Sequence, residues 1–573
     1  MSFQSLLQYG SFLIIVTVLV KPVGTYMARV FQGERTFLDP LMRPFERLLY
    51  KIAGVNSQEE MDWKQYAYSF VLFGFAGTLL LYGILRLQHF LPWFYPEDQN
   101  TPMTPDLAMN TAISFSTTTT WQAYAGETTM SYFSQSVGLT AQNFLAGASG
   151  LAVGIAFIRG LARQHTDKLG NFWVDLVRSI LWVLLPLSLI GALLLVWQGV
   201  PMNFHPYTQA TTVEGAKQTI AQVPVAALEI IKNLGTNGGG FFNVNGAHPF
   251  ENPTPLSNVM GMLAIMMLPA ALTYTFGRMV GDTRQGWILY IVMSFLFVVA
   301  LLLGGWSEQR GNPKFTRMGV VLRPTVMQAG GNMEGKEVRF GITQSVLTAV
   351  VTSNGATGST NSMHDSYTPL GGMVPLINML LGEIIFGGLG TGIYSIVMIA
   401  LIGLLLSGLM VGRTPEYLGK KIRPPETKMI TLFALATPLA ILPLTAVAIL
   451  TKAGLAGLTT NTAAHGFTEI LYAYASSMAN NGQTFAGLNA NTVFYNVSTA
   501  TAMMIGRFGL AVPALALAGL FAGQIRGGTT AGTVRTDTFT FAIVLTSTAL
   551  IVMGLSFFPA LTLGPVLEHL LGL

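Results

Sequence analysis

Long apolar runs alternate with short polar interruptions along this chain, and the runs fall into two length classes. A bilayer core of about 30 Å is crossed by about 20 apolar residues in a helix. Ten runs reach that length, at 6–28, 66–87, 132–161, 172–200, 256–280, 287–306, 372–411, 429–450, 493–524 and 539–558. The seventh is too long for one straight span. Four shorter runs lie between them, at 106–116, 223–235, 341–352 and 466–478. At roughly 10 to 14 residues these are too short to cross, so they read as re-entrant helices that enter the membrane and turn back. Each ends in a small polar loop. The unit helix, re-entrant helix, loop, helix thus occurs four times over spans two to nine, with one span left over at each end.

Three of the polar loops pair Asn with Gly: Thr236-Asn237-Gly238, Ser353-Asn354-Gly355 and Asn480-Asn481-Gly482. Asn237, Asn354 and Asn481 are 117 and 127 residues apart, and a further step of 117 back from Asn237 reaches Thr120, within Ser116-Thr117-Thr118-Thr119-Thr120-Trp121-Gln122. One Asn-Gly alone is most often a turn. Near-equal spacing and shared apolar flanks instead favour four loops whose backbone carbonyls converge on one axis. The expected fold is an all-α polytopic membrane protein, with four pore repeats around a pseudo-fourfold axis. Its expected units are 1–65 (extra N-terminal helix and basic cytoplasmic loop), 66–171, 172–285, 286–427 (with an external loop at 307–340 and a broken second helix), 428–536 and 537–573 (extra C-terminal helix).

Composition agrees with the pattern. The 573 residues are 51% hydrophobic and only 10% charged, where a soluble chain carries about a quarter charged. A soluble enzyme is excluded. The net charge of +5 is spread along the chain rather than gathered into a basic motif, which argues against nucleic acid. Absence of cysteine excludes disulfides and thiolate metal sites. The first run lacks a basic flank and a small-residue cleavage site, so it reads as an uncleaved helix. Neither a G-x-x-x-x-G-K-[ST] loop nor an Asp-Lys-Thr-Gly motif is present, so no ATP site is expected in this chain.

Charge also orients the chain. Of 31 Lys and Arg residues, 19 fall on the side opposite the pore loops and 10 on the pore-loop side, with Lys21 and Arg507 inside spans. The positive-inside rule then places the pore loops and both termini outside. One loop dissents: 307–340 carries six of the ten external cations and is expected to form a small cap. Arg159-Gly160, Gly277-Arg278 and Gly412-Arg413 mark three cytoplasmic helix ends, as snorkelling anchors repeated with the units.

The loop chemistry narrows the ligand. Rings of carbonyls can replace the hydration oxygens of a cation, and Gly permits the backbone angles that aim them. The loops carry no Asp/Glu ring for a divalent cation and no Lys/Arg ring for an anion. A monovalent cation is expected, potassium before sodium. Glu383 in the overlong seventh run and Arg507 in the ninth are charges at membrane depth, which mark ion pathways or pairs. The expectation is that they approach each other below the loops, with Arg507 as a positive barrier. Gly387, Gly388, Gly390 and Gly392 should break the seventh span into a gate or side exit. The seven histidines are scattered and none pair at metal-ligand spacing, so no transition-metal site is expected, and His364-Asp365 reads as a polar loop pair.

Several blocks together resemble the KdpA family, the potassium-binding subunits of the bacterial Kdp ATP-driven potassium importer. They are Thr120-Trp121-Gln122 with Gly126-Glu127-Thr128-Thr129, Gly235-Thr236-Asn237-Gly238-Gly239-Gly240-Phe241-Phe242 with Ala247-His248-Pro249-Phe250-Glu251-Asn252-Pro253-Thr254, Thr352-Ser353-Asn354-Gly355 with Met363-His364-Asp365-Ser366, Gly412-Arg413-Thr414-Pro415-Glu416-Tyr417-Leu418-Gly419, and Asn480-Asn481-Gly482 with Phe485-Ala486-Gly487-Leu488. The resemblance implies a potassium-transporter fold and a K+ filter formed by Thr118, Thr119 and Thr120; Thr236, Asn237 and Gly238; Ser353, Asn354 and Gly355; and Asn480, Asn481 and Gly482. It implies that Gln122, Glu383 and Arg507 line a vestibule beneath. It implies a P-type ATPase partner (KdpB-like), a small periplasmic-facing partner (KdpC-like) and a single-helix peptide (KdpF-like) in a bacterial inner membrane. Potassium would leave sideways into the ATPase subunit. The first loop departs from the family pattern, having Thr117 to Thr120 where members carry Asn. Two other readings stay open: a stand-alone or regulated potassium channel, and a proton- or sodium-coupled transporter with Glu383 as its carrier carboxylate.

Overall fold

A computed structural model describes residues 2–572 apart from 92–102, 223, 326–327, 329, 411, 413 and 528–533. Among these, ten helices are long and apolar enough to cross a membrane: Phe3–Gln32, Trp63–Phe90, Ser134–Ala162, Phe172–Trp197, Pro255–Val280, Thr283–Arg317, Thr391–Met410, Pro424–Leu450, Val493–Ala522 and Phe539–Leu571. Each coincides with an expected run. The overlong seventh resolves into Pro369–Leu380 and Thr391–Met410, with residues 381–390 out of helix between them. Val411, at the end of that run, and Val223, at the start of the second re-entrant run, lie outside the described residues, as does Arg413.

The four short runs are helices Pro105–Ser116, Val225–Leu234, Gly341–Asn354 and Ala463–Met478. Their side chains are buried almost all round, which fits a helix enclosed by protein at membrane depth. The third span, Ser134–Ala162, is the most enclosed of the ten. Small residues let it approach other backbones. A Cβ on Gly154 would lie 2.7 Å from Gly390 Cα, and one on Gly160 would meet Ala518.

Arg159 is not a snorkelling anchor. It is buried, pairs with Asp175 at 2.5 Å and donates to the Phe31 carbonyl, while Tyr66 Oη donates to the same carboxylate. Arg278, its repeat partner, is exposed. On the same face Lys420 is buried and donates to the carbonyls of Gly160, Arg163 and Phe521, adding a side-chain donor to the ends of two helices.

The basic segment expected as a loop after the first span contains a helix, Asp39–Ala53. Leu41, Phe45, Leu48, Leu49 and Ile52 are exposed along it, interleaved with Arg43, Arg47 and Lys51. Such a helix suits the headgroup layer rather than water. The 307–340 segment is pinned by a buried ion pair. Glu308 and Lys336 pair at 2.8 Å with both side chains fully buried, and Asn332 donates to the same carboxylate. Both chain ends sit at the face where the re-entrant helices enter, with Ser2 N on Gln309 and Glu568 on His465.

Candidate ion pathway

The four polar loops are built by one backbone device. After each re-entrant helix the chain turns left-handed at Thr118, Thr236, Ala356 and Asn480, with φ of +63°, +51°, +47° and +48°. The next residue closes back on the helix: Thr119 N to Ser114 O, Asn237 N to Lys232 O, Thr357 N to Thr352 O and Asn481 N to Ser476 O, at 3.0, 2.8, 3.1 and 2.9 Å. This is the six-to-one closure of a helix end. A second left-handed residue follows at Thr120, Gly238, Gly358 and Gly482. Residues alternating between left- and right-handed angles point successive carbonyls to one side, where an extended strand alternates them.

This register differs from the expected one in the third loop. Ser353 and Asn354 are the last two residues of their helix and Gly355 caps it. Thr357 and Gly358 occupy the places held elsewhere by Asn237 and Gly238. The equivalent middle residues Thr119, Asn237, Thr357 and Asn481 are 118, 120 and 124 apart, a more even repeat than the Asn-Gly pairs give. An Asn-Gly that ends a helix looks the same in sequence as one that begins such a loop. Aligning the helix ends would have separated them.

The loops close into a ring in chain order. A Cβ on Gly238 would run into the Thr357 carbonyl, one on Gly358 into that of Asn481, and one on Gly482 into that of Thr119. The fourth contact is made by a real side chain, since Thr120 Oγ1 donates to the Asn237 carbonyl. Each loop therefore presses its second left-handed residue against the middle carbonyl of the next. Asn480 Nδ2 donates to Thr119 Oγ1 and Asn481 Nδ2 to the Ser353 carbonyl, both at 2.9 Å. Ser353 is a strut, taking a 2.9 Å bond from Asn378. The amides of Asn237 and Asn354 are buried with no protein partner, so polar capacity is left over around the ring.

A cavity of about 630 Å³ opens from the ring toward the face carrying the chain ends, lined by Thr120, Gln122, Gly239, Gly358, Gly482 and Gln483 among others. Gln122 belongs to this mouth and not to the space beneath. Its Oε1 accepts from Gly240 N at 2.8 Å and its Nε2 donates to Gly240 O at 3.0 Å, so it clamps the first loop to the second. Lys232, the nearest cation to the second loop, is fully buried and neutralised by Glu229 at 2.6 Å and Glu251 at 2.7 Å. Glu251 also accepts from Phe242 N at 2.8 Å and so braces the segment after the loop. Sequence reasoning missed this brace, whose two ends are 19 residues apart. Near the mouth, burial raises the Glu127 carboxyl above its usual range. Burial, reinforced by Lys336, holds His364 down at about 3, so its neutral ring pairs with the Tyr472 hydroxyl at 3.0 Å.

Beneath the ring lies the break at 381–390. It is strained: Glu383 and Phe386 are left-handed at φ +59° and +48°, beside Gly382 and Gly390 at +77° and +93°. The amide of Leu389 donates to Thr236 Oγ1 at 2.7 Å, which hangs the segment from the second loop. Gly387, Gly388 and Gly390 fall within the break, and Gly392 starts the next helix. Arg507 stands in a single π-turn of the ninth span, Ile505–Gly509. It donates to Thr118 Oγ1 at 3.1 Å, the Ala146 carbonyl at 2.9 Å and Ser149 Oγ at 3.1 Å. Among the described residues no ion pair joins it to Glu383; Gly150, whose Cβ would lie 2.6 Å from Leu389 O and 3.2 Å from Arg507, sits between Arg507 and the break. The two charges expected to approach lie within electrostatic reach of each other without forming an ion pair. Glu383 instead takes a backbone hydrogen bond from Gly388, inside its own break.

Residues 10–570 match the family described as potassium-transporting ATPase A subunit. The chain is 53% identical over 564 residues to the potassium-transporting ATPase potassium-binding subunit of Methylorubrum extorquens, covering 98% of this chain and 96% of that one. It is 51% identical over 570 residues to the protein of the same description from Granulibacter bethesdensis, covering 100% and 99%. Among solved structures it is similar to the potassium transporter TrkH from Vibrio parahaemolyticus, with TM-score 0.50, 13% identity, and 89% and 97% coverage. At that identity the likeness is one of fold.

Proposed function

The chain belongs to the potassium-transporting ATPase A subunit family, and from that premise we propose that its closed ring of four loops is the site where K+ sheds water on the way into an ATP-driven importer. It is the potassium-binding, non-catalytic subunit of that assembly. The ion enters the cavity at Gln122 and exchanges hydration oxygens for the carbonyls at 118–120, 236–238, 356–358 and 480–482. The observation that carries this reading is the cyclic contact of each loop with the next, because only a closed ring offers carbonyls from all sides. Potassium fits the donor set: neutral oxygens, no carboxylate at the ring, and unspent amides of Asn237 and Asn354 around it.

Below the ring, Arg507 and the break at 381–390 block a straight run to the far side and turn the ion sideways toward a KdpB-like ATPase subunit. KdpC-like and KdpF-like subunits complete the assembly in a bacterial inner membrane, with the pore mouth and both termini extracytoplasmic. The test is potassium-stimulated ATP hydrolysis by the assembled complex with and without Gly238→Asp. The added side chain meets the Thr357 carbonyl and brings a charge to the ring. We expect the potassium needed for half-maximal stimulation to rise at least a hundredfold. An unchanged potassium requirement removes the ring from the mechanism.

A further inference from the structure

Four side chains gather behind the wall of the mouth and take no part in the pathway above. Asp365 lies in the turn His364–Ser366 of the third unit. His465 and Glu469 are one turn apart on the fourth re-entrant helix, so they share a face. Glu568 lies in the last helix, Leu567–Leu571. His465 Nδ1 is 2.9 Å from Glu568 Oε1, and Nε2 is 3.0 Å from Asp365 Oδ1 and 3.9 Å from Glu469 Oε1. Three carboxylates thus face one imidazole. Among the described residues no Lys or Arg comes within ion-pair distance of any of them, so the cluster is anionic whatever the state of the ring.

A second observation points to a missing cation. Glu469 is fully buried; its Oε1 accepts from Asn461 Nδ2 at 2.8 Å, while Oε2 has no hydrogen-bond partner. A buried carboxylate oxygen left unpaired is costly. Gly487 packs directly against this carboxylate, and a Cβ there would run into Oε1. One ligand atom each from Asp365, His465 and Glu469 lie within 4.8 Å of one another. Ligand atoms about 2.0–2.2 Å from a tetrahedral metal are about 3.3 Å apart, so rotamer-scale movement closes the site.

We propose that Asp365, His465 and Glu469 bind a divalent transition-metal cation of the zinc class, with Glu568 holding the imidazole from behind. A proton on Nδ1 shared with Glu568 fixes the tautomer and leaves the Nε2 lone pair facing Asp365 and Glu469, the usual arrangement behind a metal-bound histidine. One nitrogen with two carboxylates suits zinc better than magnesium or calcium, which take oxygen ligands. The fourth position is left for water. The ion would staple the third loop, the fourth re-entrant helix and the C-terminal helix into one rim. That rim reaches the ring, because His465 stacks on Phe485 with ring centroids 5.8 Å apart, and Phe485 follows the fourth loop.

The test uses the assembled complex, stripped with a chelator and titrated with zinc against a chromogenic competitor. One tightly held zinc per chain is expected, with affinity falling at least tenfold in Glu469→Gln and Asp365→Asn and about 10- to 100-fold in Glu568→Gln. Cobalt in place of zinc should give the visible absorption of a four-coordinate ion in the wild type and none in His465→Gln. Zinc uptake equal in wild type and Glu469→Gln overturns the proposal and leaves a protonated histidine held by carboxylates. If variants fail to assemble, the wild-type cobalt spectrum alone decides, and its absence is equally fatal.

Discussion

The ring of loops and the segment beneath it lie one hydrogen bond apart, yet they follow opposite rules. In the ring, four stretches of different sequence adopt one backbone: the same left-handed pair, the same closing bond, the same contact with the next loop. Beneath it, residues 381–390 have no counterpart. The second helices of the other units, Ser134–Ala162, Pro255–Val280 and Val493–Ala522, run on where the third unit breaks. A symmetric ring can select an ion on its axis but gives it no lateral direction. A single strained element under one quadrant supplies that asymmetry. On the function we propose, the repeated ring selects the ion and the exceptional break routes it.

The sharpest way to break this comparison is to repair the exception. Gly390 has φ +93°, and a Cβ there would meet the Gly150 carbonyl on the third span. Left-handed strain of about 1–2 kcal/mol and overpacking of about 1–3 kcal/mol both fall on the break. Gly390→Ala should cut potassium uptake by the complex at least a hundredfold while binding at the ring, read as isothermal potassium affinity, stays within threefold. If binding collapses together with uptake, ring and break are one element.

Next in size is the ring's own unrepeated support. Lys232 is fully buried between Glu229 and Glu251, and Glu251 also holds Phe242 N. Breaking a buried pair costs about 3–5 kcal/mol when a charge is left alone. Glu251→Gln leaves Lys232 one partner, so the loss should sit near the lower end, about 3 kcal/mol, seen as a lower melting temperature of the purified complex. A melting temperature within error of wild type would mean that the second loop needs no brace. Arg507→Ala comes after it. The substitution removes three hydrogen bonds and the fixed charge under Thr118. Passive potassium leak through the complex in liposomes should rise about tenfold. No change in leak or uptake would dispose of the barrier.

The spans, the re-entrant helices and three of the four loop registers were readable in the sequence because burial at membrane depth leaves its mark in run length. The third register was not, since Ser353-Asn354-Gly355 imitates a loop while ending a helix, and the choice is made by the closing bond at Thr357. Gln122 lies at the mouth and not, as the resemblance implies, beneath the ring, because direction within a loop depends on backbone handedness, which sequence does not print. The helix Asp39–Ala53 was readable: Leu41, Phe45, Leu48, Leu49 and Ile52 recur at helical spacing. Its interleaved cations Arg43, Arg47 and Lys51 give the same stretch the look of a basic loop. Arg159 looked like a surface anchor because its partner Asp175 is 16 residues away on the next helix.

The smallest effect tests the ring's one irregular member. Thr120 holds a left-handed φ of +48° at the place where the other three loops have Gly. Replacing it with Gly relieves about 1–2 kcal/mol of strain. It also adds about 0.5–1 kcal/mol of unfolded-chain freedom and forfeits the hydrogen bond to the Asn237 carbonyl, about 0.5–1.5 kcal/mol. These terms cancel to within about 1 kcal/mol, so Thr120→Gly should leave the melting temperature almost unmoved. Its consequence is electrostatic. The carbonyls of Thr357, Asn481 and Thr119 face a glycine, whereas that of Asn237 spends a lone pair on the Thr120 hydroxyl. Freeing it should tighten potassium binding by a factor of about five or less, about 1 kcal/mol, read as a lower potassium concentration for half-maximal ATP hydrolysis. A weaker site in Thr120→Gly would instead show that the hydroxyl holds the Asn237 carbonyl in position. The ring would then depend on a side chain in one quadrant and on backbone alone in the other three.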